Sequence, residues 1–290
     1  MKRKVSLFAL MMCLIFCGLV SLTPKASAIT YGFVDSNNTF KNTGAFIVKS
    51  PFTGEVFPIC SGTLITPNVF LTATHCSLYF SEELAPLGYT AYVSLDSSIP
   101  FGNLSSAQTN LLAVAQVVSN PNYSQRQSDS GDIGALILQN AVSGVTPATL
   151  PSCGLLDQLS SHNGLKDATF IPVGYGVQER VVGRGVPFFQ DVNPIPRMFA
   201  FSEFNALNGG YIRLSQNPAT GNGGACFGDS GGPNFLNVDQ QTVLAAITIT
   251  GDAVCRATNV AYRVDTLSAQ GFLAYVNGAY GTSIPLSCVN

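Results

Sequence analysis

From residue 44 onward the chain is a succession of short apolar runs, rich in β-branched and aromatic residues, each bounded by clusters of Gly, Pro, Asn and Ser. Runs of that length and composition between turn-forming residues are the signature of strands. The candidates lie at 45–49, 69–73, 90–95, 112–118, 133–138, 170–173, 211–214, 242–250 and 259–264. Helical periodicity is nearly absent between them. The exception is 266–276, where Leu267, Phe272, Leu273 and Val276 share one helical face despite Gly271. The pattern predicts an all-β body closed by one C-terminal helix. Residues 179–197, with Gly183, Gly185, Pro187, Pro194 and Pro196, read as a long surface loop or as a linker between halves. No internal repeat, low-complexity tract or charged tail interrupts the pattern.

With 46% hydrophobic and 10% charged residues in 290, the chain is too apolar for intrinsic disorder, and its length admits one large unit or two smaller ones. The first 28 residues read as a secretory signal. Lys2, Arg3 and Lys4 form a positive start, an almost unbroken apolar stretch runs over 5–22, and Ala26-Ser27-Ala28 supplies a small-x-small cleavage site. An apolar stretch of about 18 residues is also at the short edge of a membrane anchor. Thr23-Pro24-Lys25 before the small residues favours cleavage, which predicts a secreted protein with no membrane attachment once the signal is removed. The mature body is then 29–290, with any boundary between halves at about 150–165. Of 14 basic residues four lie in the leader, leaving 10 against 16 acidic ones and a net charge near −6. Without basic runs there is nothing to release counterions from a phosphate backbone, so nucleic acid is not an expected partner.

Removing the leader also removes Cys13 and Cys17. Six cysteines remain, Cys60, Cys76, Cys153, Cys226, Cys255 and Cys288, and an even number in an exported chain predicts three disulfides. Spacing alone permits about 15 connectivities. Metal ligation is the competing use of such residues, but there is no C-x-x-C and only Thr74-His75-Cys76 sets a histidine beside a cysteine. No metal and no cofactor is expected.

Three short sequences carry chemistry: Thr72-Ala73-Thr74-His75-Cys76, Asp132-Ile133-Gly134-Ala135-Leu136, and Gly228-Asp229-Ser230-Gly231-Gly232-Pro233. A serine hydroxyl is a poor nucleophile at neutral pH. It needs an imidazole to take its proton, and the imidazole needs a buried carboxylate to fix its tautomer. His75 follows an apolar strand and precedes a cysteine that can staple its loop. Asp132 opens the apolar run 133–138, at the rim of a core, with Asp129 as the reserve acid. Ser230 sits among glycines that let a carbonyl approach and let the amides of Gly228 and Ser230 point at a developing oxyanion. Taken singly, His75 also fits a satisfied core histidine and Asp132 a turn residue. Gly228 to Gly232 also fits the G-x-S-x-G elbow of α/β-hydrolases, but those chains run Ser, acid, His, and no histidine follows Ser230 here. His162, in a polar turn, is expected on the solvated surface.

With these motifs in this order the mature chain resembles the chymotrypsin-like (trypsin-like) serine proteases. Cys60-Ser61-Gly62-Thr63-Leu64-Ile65 is similar to the family's C-x-G-x-L-I strand. Residues 117–123 resemble its V-x-x-H-P-x-Y stretch with Asn120 for His, and Val173-Gly174-Tyr175-Gly176 its V-x-G-W-G turn with Tyr for Trp. Val260-Ala261-Tyr262-Arg263-Val264 resembles its G-V-Y-x-x-V strand. The resemblance implies two packed six-stranded antiparallel β-barrels with a C-terminal helix, and a triad of His75, Asp132 and Ser230 in the cleft between them. It implies disulfides Cys60–Cys76 and Cys226–Cys255, which leaves Cys153 for Cys288. It also implies a monomer acting on protein or peptide substrates.

By the same resemblance a new N-terminal amine pairs with the Asp before the catalytic Ser, here Asp229. Cleavage after Ala28 exposes Ile29, and Ile29-Thr30-Tyr31-Gly32 looks like a divergent form of the family's I-V-G-G start. Signal removal is therefore expected to create the activating amine; a frayed Ile29 with a later cut is the alternative. The specificity pocket is expected around Gly224, Thr250, Gly251 and Val260. Gly224 carries no carboxylate to reward Lys or Arg, so small or medium apolar residues are favoured, unless Asp252 reintroduces a basic preference. A protease-like binding protein and an esterase using the same serine are the other functional readings.

Overall fold

The computed structural model describes residues 29–100, 110–124, 128–177, 180–181, 188–189 and 193–288. The leader expected over 1–28 lies outside them. Six strands, Thr43–Lys49, Val56–Thr66, Val69–Thr72, Thr90–Ser94, Leu112–Val118 and Gly134–Leu138, close into an antiparallel barrel. A second antiparallel barrel is made by Thr169–Gly174, Ser202–Leu207, Tyr211–Ser215, Pro233–Val238, Gln241–Gly251 and Thr258–Arg263, and closes where Pro233–Val238 meets Thr169–Gly174. Two short strands, Phe33–Val34 and Met198–Phe199, extend its edge and tie the N-terminal segment to it.

Alternating residues fill each barrel. Phe46, Leu64, Phe70, Val93 and Leu136 fill the first, and Phe170, Ile212, Leu214, Leu236 and Ala261 the second. A third apolar cluster fuses them: Leu71 and Ile133 from the first barrel meet Ile247 and Tyr262 from the second, together with Phe272, Leu273 and Val276. Those last three belong to the C-terminal helix Leu267–Tyr280, whose N-cap Thr266 accepts from the Ala269 amide at 3.1 Å. The helix runs four residues past the apolar stripe that predicts it and stops where Gly281 turns left-handed. Among the described residues no helix is long and apolar enough to cross a membrane.

The connection between the barrels, residues 139–168, holds the helix Leu155–Ser161. In the stretch read as a surface loop, Arg180–Val181 pairs with Phe188–Phe189 and Ile195–Pro196 pairs with Ser98–Ile99. Its end is interior rather than surface, because the Arg197 side chain is wholly buried. A buried guanidinium must be paired. Arg197 donates to Asp35 at 2.9 Å, to the carbonyls of Thr43 and Leu95 at 3.1 Å, to the Tyr175 hydroxyl at 3.2 Å, and to Asn38. One side chain thus joins the N-terminal segment, the first barrel and the 174–176 turn.

Candidate active site

The strands Val69–Thr72 and Gly134–Leu138 are neighbours, and their last pair is Thr72 opposite Gly134. His75 lies three residues beyond that pair and Asp132 two residues before it, which is how a separation of 57 residues becomes a contact. His75 Nδ1 lies 2.8 Å from Asp132 Oδ2, and the His75 amide donates to Oδ1 at 2.9 Å. A carboxylate only accepts, so the ring proton sits on Nδ1 and the lone pair of the neutral ring on Nε2. Asp132 is buried while the imidazole is about one-third exposed, with a side-chain exposure of 34%. Burial strengthens the bond and partial exposure leaves the ring accessible.

The mount is rigid. Thr74 Oγ1 donates to the Ile133 carbonyl at 2.6 Å and accepts from the Asn120 amide. Asp129 takes the Gly131 amide at 3.0 Å and the Tyr262 hydroxyl at 2.8 Å, so the reserve acid buttresses the turn while Asp132 faces His75. The Cys60–Cys76 disulfide braces the other side, with both sulfurs and the imidazole within 4.8 Å. Sulfurs joined in a disulfide offer no thiolate, so this cluster does not have the donors of a metal site. Closing that loop stabilises by about 3 kcal/mol on the chain-entropy model. Cys153–Cys288 and Cys226–Cys255 are the other two disulfides.

The 228–232 loop docks on the strand Val56–Thr66, the neighbour of Val69–Thr72, and on Gln241–Gly251 of the second barrel. The Ser61 amide donates to the Ser230 carbonyl at 2.9 Å, Ser61 Oγ donates to the Gly228 carbonyl at 3.0 Å, and the Gly231 amide donates to Thr248. Gly231 has φ of 79°, and a Cβ there would stand 2.6 Å from the Ser61 carbonyl oxygen and 2.7 Å from the Ala73 nitrogen. Only glycine serves both demands, and the close approach brings Ser230 beside the backbone that leads into His75. Gly228, with φ of 93°, turns the chain before Asp229. Among the described residues the amides of Gly228 and Ser230 donate to no protein partner.

Asp229 is buried, and its two oxygens accept from the amides of Gly176 and Cys226, each at 2.8 Å. Burial pushes its carboxyl up to about 7, and those two amides offset only part of the cost. Ile29 is wholly buried against Met198 and Ala200. Thr30 forms a bridge with Gly224 through both backbone bonds, and its hydroxyl contacts the Cys255 carbonyl at 2.9 Å.

A cavity of about 190 Å3 opens beside Ser230, lined by residues 225–227, 248–252 and Cys255. Thr250 and Gly251 are therefore on its wall. Gly224 lies behind it, and Val260 pairs with Thr250 across the sheet while its side chain packs toward the shared core. Asp252 is also on the wall. Burial would raise its pKa, but the amides of Thr258, Arg256 and Ala257 and the Gln216 side chain outweigh that and hold it below the ordinary carboxylate value. Three residues that position the site escape sequence reasoning: Ser61, Arg197 and Gln216. Ser61 stands in a motif noticed for its cysteine, and nothing local marks the other two.

The trypsin family's sequence model matches residues 33–270. The chain is similar to a curated relative, serine protease SP24D of Anopheles gambiae, at 25% identity over 221 residues, 73% of this chain and 69% of that protein. The chain belongs to the trypsin family and is a serine endopeptidase.

Proposed function

We propose that this endopeptidase is secreted, with Ser230 as nucleophile, His75 as general base and then acid, and Asp132 holding the imidazole. In this reading Ser230 Oγ adds to the scissile carbonyl as its proton passes to His75 Nε2. The tetrahedral oxyanion is held by the amides of Gly228 and Ser230. Collapse expels the amine, which takes the proton from His75, and leaves an acyl-enzyme that water hydrolyses by the same steps in reverse order. The observation that carries the reading is the two-point grip of Asp132 on His75, at 2.8 and 2.9 Å, together with a loop that sets a half-buried serine on the wall of the neighbouring cavity.

Signal removal after Ala28 supplies the Ile29 amine, which pairs with Asp229 and orders the 228–230 backbone. The burial of Ile29 and the bridge of Thr30 to Gly224, five residues before Asp229, support it. The mature body is 29–290, with two halves meeting at about 150–165, and works as a monomer outside the cell on protein or peptide substrates. It is free of the membrane once the signal is gone, binds no nucleic acid and needs no cofactor. Cleavage follows small or medium apolar residues: Gly224 brings no carboxylate, Thr250 and Gly251 form the wall, and Val260 backs it. The carboxylate of Asp252 is spent on the amides of its own loop.

A fluorophosphonate probe should label the mature chain and fail to label Ser230→Ala. Labelled chain that cleaves a simple ester but no denatured protein contradicts the peptidase reading, and an unlabelled native chain contradicts catalysis by Ser230.

A further inference from the structure

Behind the cavity beside Ser230 lies a buried side chain that no motif points to. A side chain at Gly224 would have to enter space already held by Gln216: a Cβ built there would stand 2.6 Å from Gln216 Cβ, and closer still to its Oε1. Gln216 follows the strand Tyr211–Ser215, and its side chain is wholly buried. Its Nε2 donates to Asp252 Oδ1 at 3.1 Å and stands 3.8 Å from where a Cβ on Gly251 would lie. Gly251, Asp252 and Ala225, the residue after Gly224, all line the cavity beside Ser230. The glutamine therefore sits directly behind three of the cavity's walls, in the volume a substrate side chain would need in order to go deeper.

Its fixing is as informative as its position. The amide nitrogen is anchored on a carboxylate that itself takes three backbone amides, so the side chain cannot swing away without leaving Asp252 a donor short. Among the described residues Oε1 is buried with no protein partner, a desolvation cost that packing around it must offset. A group held at that cost, in the one direction Gly224 leaves open, is a plug.

We infer that Gln216 is a specificity-determining residue, setting the depth of the pocket and so the upper size of the residue before the cleaved bond. This rests on the peptidase reading above and deepens it. An added methylene in an apolar pocket changes selectivity by about 10–200-fold, so removing most of a glutamine should be visible.

The test compares kcat/KM on a tetrapeptide anilide series ending in Ala, Val, Leu or Phe, with active sites counted by fluorophosphonate. For the native chain Ala, Val and Leu should exceed Phe. Gln216→Ala should raise the Phe-to-Ala ratio at least 10-fold, whereas Gln216→Met, which keeps the length and removes both polar atoms, should leave the ratio within about threefold of native. Should Gln216→Ala fail to fold, Gln216→Asn serves in its place, with a rise in the Leu-to-Ala ratio expected. An unchanged ratio in the shortened variant overturns the assignment, and so does an equal shift in Gln216→Met, which would make the bond to Asp252 the determinant. A native chain that takes the probe yet cleaves none of the peptides fails the peptidase reading itself, and the inference falls with it.

Discussion

In the proposed triad the Asp132 carboxylate fixes both backbone and ring of His75 before any substrate arrives. Asp132 receives both the ring and the amide of His75, so exchanging it for asparagine offers an N–H where an acceptor is needed and turns the imidazole to the wrong tautomer. Asp132→Asn should lower kcat by about 10^4-fold with little change in fold, checked by kinetics beside circular dichroism. Asp229 makes a second prediction. In a chain extended by one residue before Ile29, no amine faces it, and its carboxyl lies raised at about 7 in the fold against an ordinary 3.8. A raised acid binds more protons folded than unfolded between those values, so its effect on stability is most favourable below pH 3.8 and is lost as pH rises to about 7. The extended chain should lose more melting temperature between pH 4 and pH 7 than the mature one, and equal losses would contradict the pairing. The contact of His75 with Asp132 and the Gly-Asp-Ser-Gly-Gly-Pro loop are legible in sequence, because the chemistry proposed for them restricts which residues can serve. Gln216 and Ser61 are not legible, because their roles depend on neighbours 36 and more residues away.

Among the elements, most strands announce themselves through apolar runs, and their boundaries fall within a residue or two. Those that the apolar runs leave out are broken by proline or glycine or diluted by polar residues. Val56–Thr66 contains Pro58 and Gly62, which read as breakers but fit a strand that bulges between Phe46 and Ile47 of its partner. Ser202–Leu207 is half polar, and Pro233–Val238 begins with a proline at a strand position that tolerates it. Arg197 hides in a stretch of prolines and glycines, yet it joins elements from both halves of the molecule. Removing one partner of a buried pair leaves an uncompensated charge, so Arg197→Met should destabilise by about 3–5 kcal/mol in denaturant melts. Asp35→Asn should cost less, because the guanidinium keeps its carbonyl partners. Equal stability of Arg197→Met and the native chain would contradict this account of how the elements join.

At the scale of the whole molecule, one apolar cluster spans both barrels and the C-terminal helix, and the proposed triad draws His75 and Asp132 from the first barrel and Ser230 from the loop that leads into a strand of the second. The Ile29 amine is expected to act on the second-barrel side, where Ile29 packs on Met198 and Ala200. Its pairing with a carboxylate raises its pKa above the ordinary value of about 8, so activity should be full below that raised pKa and fall as pH rises through it. The extended chain should be inactive at every pH.

The central claim is that Ser230 and His75, 155 residues apart, act as one unit. The most direct measurement is kcat/KM for Ser230→Ala, His75→Ala and the double variant. A unit predicts that either single change costs nearly as much as both together. Losses that multiply in the double variant would show two independent contributions and contradict it.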